Sequence, residues 1–237
     1  MHCPRGTVWS LGRRARSRAG LWSSLRHNVY VTSDWLPRAL EESRARGFLG
    51  PGPISAHIDH AEGFARGWEQ FSTVAPGTWL DLGSGGGVPG LVLLEKWRTR
   101  VTLLDAMEKR TAFLREVLGW PDAPHFAEVI RERGEVASRD PRLDSSFELV
   151  VARSFGRPAV TAECAARFLV LGGVLIVSEP PEEQEESRWS PEGLRTLGLE
   201  PRGSFRASAS FQIVVKCAET PRRFPRPTGI PSKRPLW

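Results

Sequence analysis

The sequence predicts an α/β fold whose parallel sheet presents a ligand site at the carboxyl ends of its strands, and three observations carry this prediction. A short apolar run from Thr78 to Leu82 is followed at once by a glycine-rich turn. A helical apolar set begins after Pro89. A second apolar run, Val101 to Leu104, ends in Asp105 as the first ends near Asp81. Strand, glycine turn and helix is the arrangement that presents a helix N-terminus to a ligand.

The glycine turn limits the kind of ligand. From residue 81 it reads Asp-Leu-Gly-Ser-Gly-Gly-Gly-Val-Pro-Gly, so Val88 stands where the dinucleotide fingerprint has its last glycine. Leu91 and Val92 disfavour a P-loop, because lysine and a hydroxyl residue are expected there. Asp81 would repel a pyrophosphate but suits a cation, or a ligand that offers hydroxyls and an ammonium, as S-adenosylmethionine (SAM) does. A turn without a ligand and an NAD-type site are the alternatives.

Several residues of the turn are expected to line the SAM site. Glycine permits positive φ and lets a ligand lie against bare backbone. Asp105 lies roughly 20 residues beyond the glycines, where a carboxylate accepts hydrogen bonds from ribose hydroxyls. The candidate cofactor-binding residues in the turn are Asp81, Gly83, Ser84, Gly85, Gly87 and Val88.

Together with later segments, the turn resembles the SAM-dependent methyltransferases of the RsmG family, also called GidB, over about residues 46–237. The glycine turn alone is shared by many methyltransferases. The Val-Pro-Gly continuation, the Lys-Arg-x-x-Phe-Leu helix and the Phe-Pro-Arg tail are together more specific. The matching segments are Asp81–Gly90, Val101–Leu114, Arg133–Glu135, Val151–Ser154, Leu171–Gly173, Arg223–Arg226 and Pro235–Leu236.

The resemblance implies a class I SAM-dependent methyltransferase fold, Rossmann-like, with a mostly parallel seven-stranded sheet and a small N-terminal helical cap. It implies methyl transfer from SAM to N7 of a guanine in the 16S rRNA of the small ribosomal subunit. It also implies that Gly134 and Glu135 line the adenine end of SAM. The alternatives are a methyltransferase for another RNA or a small molecule, or a SAM- or RNA-binding homologue without catalysis.

Arg153 follows the predicted fourth strand, Phe147 to Ala152. In open α/β sheets ligands bind beyond the carboxyl ends of the strands, at the switch point, so Arg153 is the candidate catalytic residue and a further cofactor-binding residue. It could position a phosphate or the guanine, or hold the pocket carboxylates by bidentate pairing, and a structural salt bridge is the alternative. No general base is required, because guanine N7 is an exposed lone-pair acceptor.

Charge and composition divide the chain. Of the 33 Lys and Arg residues, six lie in residues 1–33, which hold no Asp or Glu, and the other 27 balance the 27 acidic residues. Residues 1–33 therefore form a disordered basic arm, a mis-assigned start or a transit peptide. The expected domains are a helical cap over 34–72, a SAM-binding methyltransferase domain over 73–220 and a basic, proline-rich tail over 221–237. Phe224 and Trp237 in that tail are expected to be available to stack on RNA.

The three scattered cysteines indicate free thiols in a reducing compartment, and a cytoplasmic monomer is expected. No apolar run approaches the length of a membrane span, so no membrane partner is expected. Asp34 could cap a helix through Leu40. The other elements expected from periodicity are helices over 54–71, 107–118, 159–169 and 191–197, strands over 126–130 and 173–178, and a last, antiparallel strand over 211–216.

Two positions depart from the family's pattern. Asp59-His60 stands in place of an Arg-His pair, and Glu179-Pro180 in place of a Lys-Gly. His57 and His60 are spaced for one helix face, but no third metal ligand is evident, so solvated or capping histidines are the better interpretation.

Overall fold

The computed structural model describes residues 34–180 and 188–237, and seven strands of this part of the chain form one sheet in the order β3-β2-β1-β4-β5-β7-β6. Strands β1 to β5 pair in parallel, whereas β7 runs antiparallel to both β5 and β6. The predicted seven-stranded, mostly parallel sheet is confirmed. The strands are β1 Thr78–Leu82, β2 Arg100–Asp105, β3 Ala127–Arg131, β4 Phe147–Ala152, β5 Leu169–Glu179, β6 Leu199–Arg206 and β7 Ser210–Lys216.

The helices of the described residues lie before, between and after these strands. None of them is long and apolar enough to cross a membrane. The expectations for residues 1–33 lie outside the described residues. The helices are α1 Trp35–Ala45, α2 Ile54–Trp68, α3 Gly90–Trp97, α4 Glu108–Leu118, α5 Gly134–Ala137, α6 Pro158–Ala165, α7 Pro191–Thr196 and α8 Ile230–Lys233.

The sheet has an apolar cluster on each face. Trp79 and Leu149 belong to one cluster, and Leu80 and Val150, their neighbours along the strands, belong to the other. Successive side chains of a strand point to opposite faces, so strands buried on both faces read as continuous apolar runs. The chain leaves β1 towards β2 and β3 on one side, whereas β4 pairs with the other side of β1, and this places the switch point between β1 and β4.

Some boundaries differ from the sequence predictions. Helix α1 continues to Ala45, and the Asp34 side chain makes no capping hydrogen bond. Helix α6 ends at Ala165, because β5 begins at Leu169 and pairs with β4 before a shift in register. Strand β6 was missed, since Pro201 and other non-alternating residues obscure its pattern. Proline is tolerated there because β6 is an edge strand.

The C-terminal segment packs onto the domain. Phe224 is 5% exposed and lies in an apolar cluster, against which Trp237 also packs. The Trp237 Nε1 donates to the Arg188 carbonyl oxygen at 3.0 Å, and the indole ring lies against Gly193. The expectation that both rings are available to stack on RNA is therefore wrong for Phe224 and for the packed face of Trp237, because burial of large apolar rings in the core competes with that role.

An ion pair fixes this segment to α6. The carboxylate of Glu163, on a fully buried side chain, accepts from the Arg226 guanidinium through Nη2 at 2.7 Å and Nε at 3.0 Å. The Arg226 backbone N–H also donates to Glu163 Oε1, at 2.7 Å. A two-point pair of this kind fixes geometry as well as charge.

Replacing Arg226 with alanine leaves the Glu163 carboxylate buried without its guanidinium. Breaking a buried pair in this way costs about 3–5 kcal/mol, and we expect about 3 kcal/mol because the backbone N–H of residue 226 still donates. Urea-induced unfolding measures the loss. Arg222→Ala removes an exposed guanidinium from the same segment and should change the free energy of unfolding by less than about 0.5 kcal/mol. Equal losses in the two variants would contradict the assignment.

Candidate functional site

The Asp81 carboxylate lies at the end of β1 with no exposure to solvent. Its Oδ2 accepts from the Gly90 backbone N–H at 2.9 Å, at the start of α3. Its Oδ1 is buried and has no hydrogen-bond partner among the described residues. A buried polar atom without a partner is costly, so this oxygen is a candidate acceptor for a donor from a ligand or from water.

Burial raises the pKa of Asp81 to about 7, and the neighbouring Asp105 charge adds to the rise. The Gly90 hydrogen bond, the nearby Ser84 hydroxyl and the positive charge of Arg153 lower this pKa and so act in the opposite direction. Because this pKa lies above its ordinary value, Asp81 favours the folded state most at low pH, and the contribution is lost as the pH rises through about 7. A cationic ligand would bind the ionised form and would therefore bind more tightly above that pH.

Gly90 is a site residue that sequence reasoning did not include. A Cβ atom there would lie 2.5 Å from Asp81 Oδ2 and 2.6 Å from Leu103 Cδ2. Only glycine lets the first turn of α3 approach the carboxylate this closely. The final glycine of the Val-Pro-Gly continuation was the available signal for this role.

The Asp105 carboxylate lies at the end of β2 and is 5% exposed. Its Oδ2 accepts from the Gly85 N–H at 2.9 Å, and its Oδ1 accepts from the Met107 N–H at 2.8 Å. Arg110 Nη1 lies 3.6 Å from Oδ2. Each carboxylate oxygen has a second lone pair, so the oriented group can still accept from two hydroxyls of a ligand.

The amides of the glycine turn are largely used within the protein. The N–H groups of Gly83 and Ser84 donate to the Leu104 carbonyl oxygen at 2.8 and 3.0 Å. The Gly87 N–H donates to the Ser84 carbonyl oxygen at 2.8 Å. These amides do not form an anion cradle, which agrees with the sequence argument against a pyrophosphate. The turn instead presents carboxylates, and a ligand with an ammonium and hydroxyls fits them.

The predicted residues of the turn differ in what they face. Gly85 has a φ of +53°, and an added Cβ would meet no atom closer than 3.7 Å, so this position is open to a ligand. A Cβ on Gly86 would lie 2.5 Å from Ser43 Oγ, so Gly86 packs against α1. The Val88 side chain is 6% exposed and packs in an apolar cluster with Leu40.

Arg153, at the end of β4, is held by a histidine of α2. Its Nη2 lies 3.3 Å from His57 Nδ1, and His57 Nε2 lies 3.2 Å from the Gly50 carbonyl oxygen. A carbonyl oxygen only accepts, so Nε2 carries the hydrogen and Nδ1 accepts from Arg153. His57 is 6% exposed, so its interpretation as a solvated or capping residue is wrong. Sequence spacing gave no signal of a contact across 96 positions.

A cavity of about 350 Å³ opens at the ends of β4 and β5. Asp81 and Asp105 do not line it, and Arg153 is the predicted site residue that does. Burial, with a smaller contribution from the Arg153 charge, lowers the pKa of His60, another lining residue, to about 4, so the imidazole is neutral at pH 7. Its lining includes His60, Arg153, Phe155, Glu179, Arg188 and Trp189.

Of the predicted adenine-binding residues Gly134 and Glu135, the glutamate already accepts a hydrogen bond within the protein. Glu135 is 8% exposed, and its Oε1 accepts from the Gly229 N–H of the C-terminal segment at 3.0 Å. The Phe155 ring lies beside both Gly83 and Gly134, because added Cβ atoms there would be 2.7 and 3.5 Å from it. Phe155 is therefore a further residue at the end of β4 that sequence reasoning did not place in the site.

The described residues contain no group of three or more His, Cys, Asp or Glu side chains that could hold a metal ion. Cys164 is a free, buried thiol, and burial raises its pKa above its ordinary range. The site chemistry therefore rests on the two carboxylates, Arg153 and the residues of the adjoining cavity.

Comparison with known proteins agrees with this geometry. The family model described as GidB, rRNA small subunit methyltransferase G, matches residues 64–201. The chain is 33% identical to the ribosomal RNA small subunit methyltransferase G of Chloroflexus aggregans, over 77% of this chain and 78% of that protein. It is 31% identical to the protein of the same name from Leuconostoc mesenteroides, over 71% of this chain and 73% of that protein.

Solved structures show the same architecture. The chain superposes on a candidate O-methyltransferase from Klebsiella pneumoniae with a TM-score of 0.53 and 13% identity, covering 78% of this chain and 90% of that one. The fold is that of the class I SAM-dependent methyltransferases. The length of the family match and the identity to its members lead to one conclusion: the chain belongs to the GidB family, the rRNA small subunit methyltransferases G.

Proposed function

We propose that this protein transfers the methyl group of SAM to N7 of a guanine in the 16S rRNA of the small ribosomal subunit. The observation that carries the proposal is the convergence of Asp81 and Asp105 at the ends of β1 and β2, beside a cavity lined by Arg153, whose charge acts on Asp81. Family membership supports the reaction and the class of RNA. We also propose that the protein is a cytoplasmic monomer.

The residues present fit SAM. The unpartnered Asp81 Oδ1 would accept from the ammonium of the amino acid portion, and Asp105 would accept from the ribose hydroxyls. Gly134 and the remaining acceptor capacity of Glu135 would face the adenine. SAM, when bound, supplies an electrophilic methyl group on a positively charged sulfur. Asp81 would stabilise that charged ligand in a site that excludes water.

The acceptor needs positioning more than proton transfer. Guanine N7 carries its lone pair on the base edge, so the protein need not remove a proton from it. Catalysis would then come from alignment of the reacting atoms and from fixed charges. His57 orients the Arg153 guanidinium, which can donate to an acceptor atom of the base or to a phosphate. The neutral His60 adds no charge to this part of the site.

Basic side chains surround the same edge of the sheet. Lys109, Arg133 and Arg157 follow β2, β3 and β4, and all three are exposed. Phosphate contacts of this kind supply affinity for nucleic acid without reading its sequence. A base from an RNA loop could therefore reach the cavity while its flanking phosphates lie against these cations.

Methyl transfer from labelled SAM to unmodified small-subunit rRNA tests the function, with the modified base then mapped. We expect one labelled guanine, modified at N7. Label at another position of a base would contradict the chemistry. Binding of SAM without transfer to this RNA would contradict the substrate and favour a different acceptor.

Replacing Asp105 with alanine should weaken SAM binding about 10- to 100-fold, because charge-assisted hydrogen bonds to the ribose are lost. Calorimetry measures the affinity. Asp140→Ala removes a carboxylate that pairs with Arg142 on the surface, and it should leave the affinity unchanged. Asp105→Asn keeps the shape of the side chain and should also weaken binding. Wild-type affinity in both Asp105 variants would rule out the assigned pocket.

A further inference from the structure

The cavity contains a carboxylate that methyl transfer alone does not explain. Glu179 ends β5, lines the cavity with Arg153, and has a side chain only 17% exposed. A carboxylate repels phosphate, so Glu179 is a poor contact for an RNA backbone. Its chemistry suits a partner that presents hydrogen-bond donors and no negative charge, such as the edge of a base.

Two neighbours hold this carboxylate in place. Trp189 Nε1 donates to Glu179 Oε1 at 2.8 Å, and Arg188 Nη1 donates to Oε2 at 3.0 Å. The Trp189 side chain is 2% exposed, so the indole is a fixed support. Each carboxylate oxygen keeps a second lone pair, and the pair of oxygens can accept from two parallel donors.

We propose that Glu179 reads the Watson–Crick edge of the acceptor guanine by accepting hydrogen bonds from its N1–H and 2-amino groups. The inference rests on the proposed function and assigns the residue that selects the base. Guanine carries these donors on the edge away from N7, so this contact leaves N7 free. Adenine presents an acceptor at N1 and has no 2-amino group, so the carboxylate would reject it.

The strand order places Glu179 across β4 from Asp81. In the parallel register Val151 of β4 pairs with Asp81 of β1 and with Ile176 of β5, so β4 lies between the two acidic strand ends. Neighbouring strands are about 4.8 Å apart, and Glu179 lies three residues beyond Ile176, so its backbone is about two strand spacings across the sheet and about 10 Å along the strands from that of Asp81. A base over the end of β4 would face Glu179 with one edge and the cofactor side with the other.

The remaining cavity residues are compatible with a base. Phe155 and the neutral ring of His60 offer flat surfaces, on which bases stack in single-stranded RNA. Arg153 lies beside the same cavity and can donate to guanine O6, an acceptor. The cavity thus combines an acceptor for the guanine donors, a donor for its O6 and rings for its faces.

The test changes the RNA and the protein separately, by removing the 2-amino group of the guanine and by replacing the Glu179 carboxylate. Small-subunit rRNA is prepared by ligation with guanine or inosine at the target position, since inosine keeps N7 but lacks the 2-amino group. Methyl transfer is measured for the wild type, Glu179→Gln and Glu179→Asp. Glutamine keeps an acceptor for Trp189, and aspartate keeps the charge but retracts it. Glu192→Gln removes an exposed carboxylate from α7 and is the matched control.

We expect inosine to lower kcat/KM about 10- to 100-fold for the wild type and for Glu192→Gln. For both Glu179 variants the guanine and inosine RNAs should differ by less than about threefold, because the partner of the 2-amino group is lost or withdrawn. SAM affinity should stay at the wild-type value, which also reports that the variants fold.

Equal methylation of the two RNAs by the wild type, or an undiminished inosine penalty in the Glu179 variants, would overturn the role of Glu179. The proposed function would still hold in either case. Failure of the wild type to methylate the guanine RNA would overturn both. The guanine RNA result therefore separates the failure of this inference from the failure of the proposed function.

Discussion

The half-satisfied carboxylate of Asp81 is the interaction on which the rest of the site depends. Its Oδ2 holds the start of α3 through Gly90, while its buried Oδ1 has no partner among the described residues. Close packing at Gly90 removes water from around the group, and that burial raises its pKa to about 7. The fold therefore keeps an unsatisfied, buried acceptor that a cationic ligand can satisfy, at the point where the strand order reverses between β1 and β4.

Methyl transfer also requires that the cavity for the substrate base lie next to the Asp81 carboxylate. Arg153 makes the connection, since its charge lowers the pKa of Asp81 while its side chain lines the cavity at β4 and β5. His57 on α2 fixes the guanidinium, so the helical segment ahead of the sheet takes part in the site. The C-terminal segment contributes from the other side, where the Gly229 N–H binds Glu135. Both ends of the described chain thus shape the pocket.

The sequence was informative where local pattern decides the structure. Asp81, Asp105 and Arg153 lie at, or directly after, the carboxyl ends of the apolar strands β1, β2 and β4, and parallel strands bring such ends to one edge. Pattern did not reveal the contact between His57 and Arg153, because it joins residues that only the tertiary fold brings together. It also led to the wrong environment for Phe224, since a basic, proline-rich segment gives no local sign of a partner cluster.

Glu179 illustrates the same limit. In the sequence it marks an acidic departure from the family's pattern, whereas in the structure it is paired with Arg188 and Trp189 inside a cavity. The sign of a charge can be read from the sequence, but its partners depend on packing. The edge strand β6 was missed for a related reason, because an edge position tolerates proline and a weak pattern.

Proton release on SAM binding tests most directly the claim that the buried Asp81 carboxylate accepts the ammonium of SAM. Calorimetry at about pH 6.5, in buffers of different ionisation enthalpy, counts the protons exchanged. Asp81 is then largely protonated and must ionise to meet the ammonium, so the wild type should release a substantial fraction of a proton. The Asp81→Asn variant should release none. Equal proton counts for the two proteins would contradict this account.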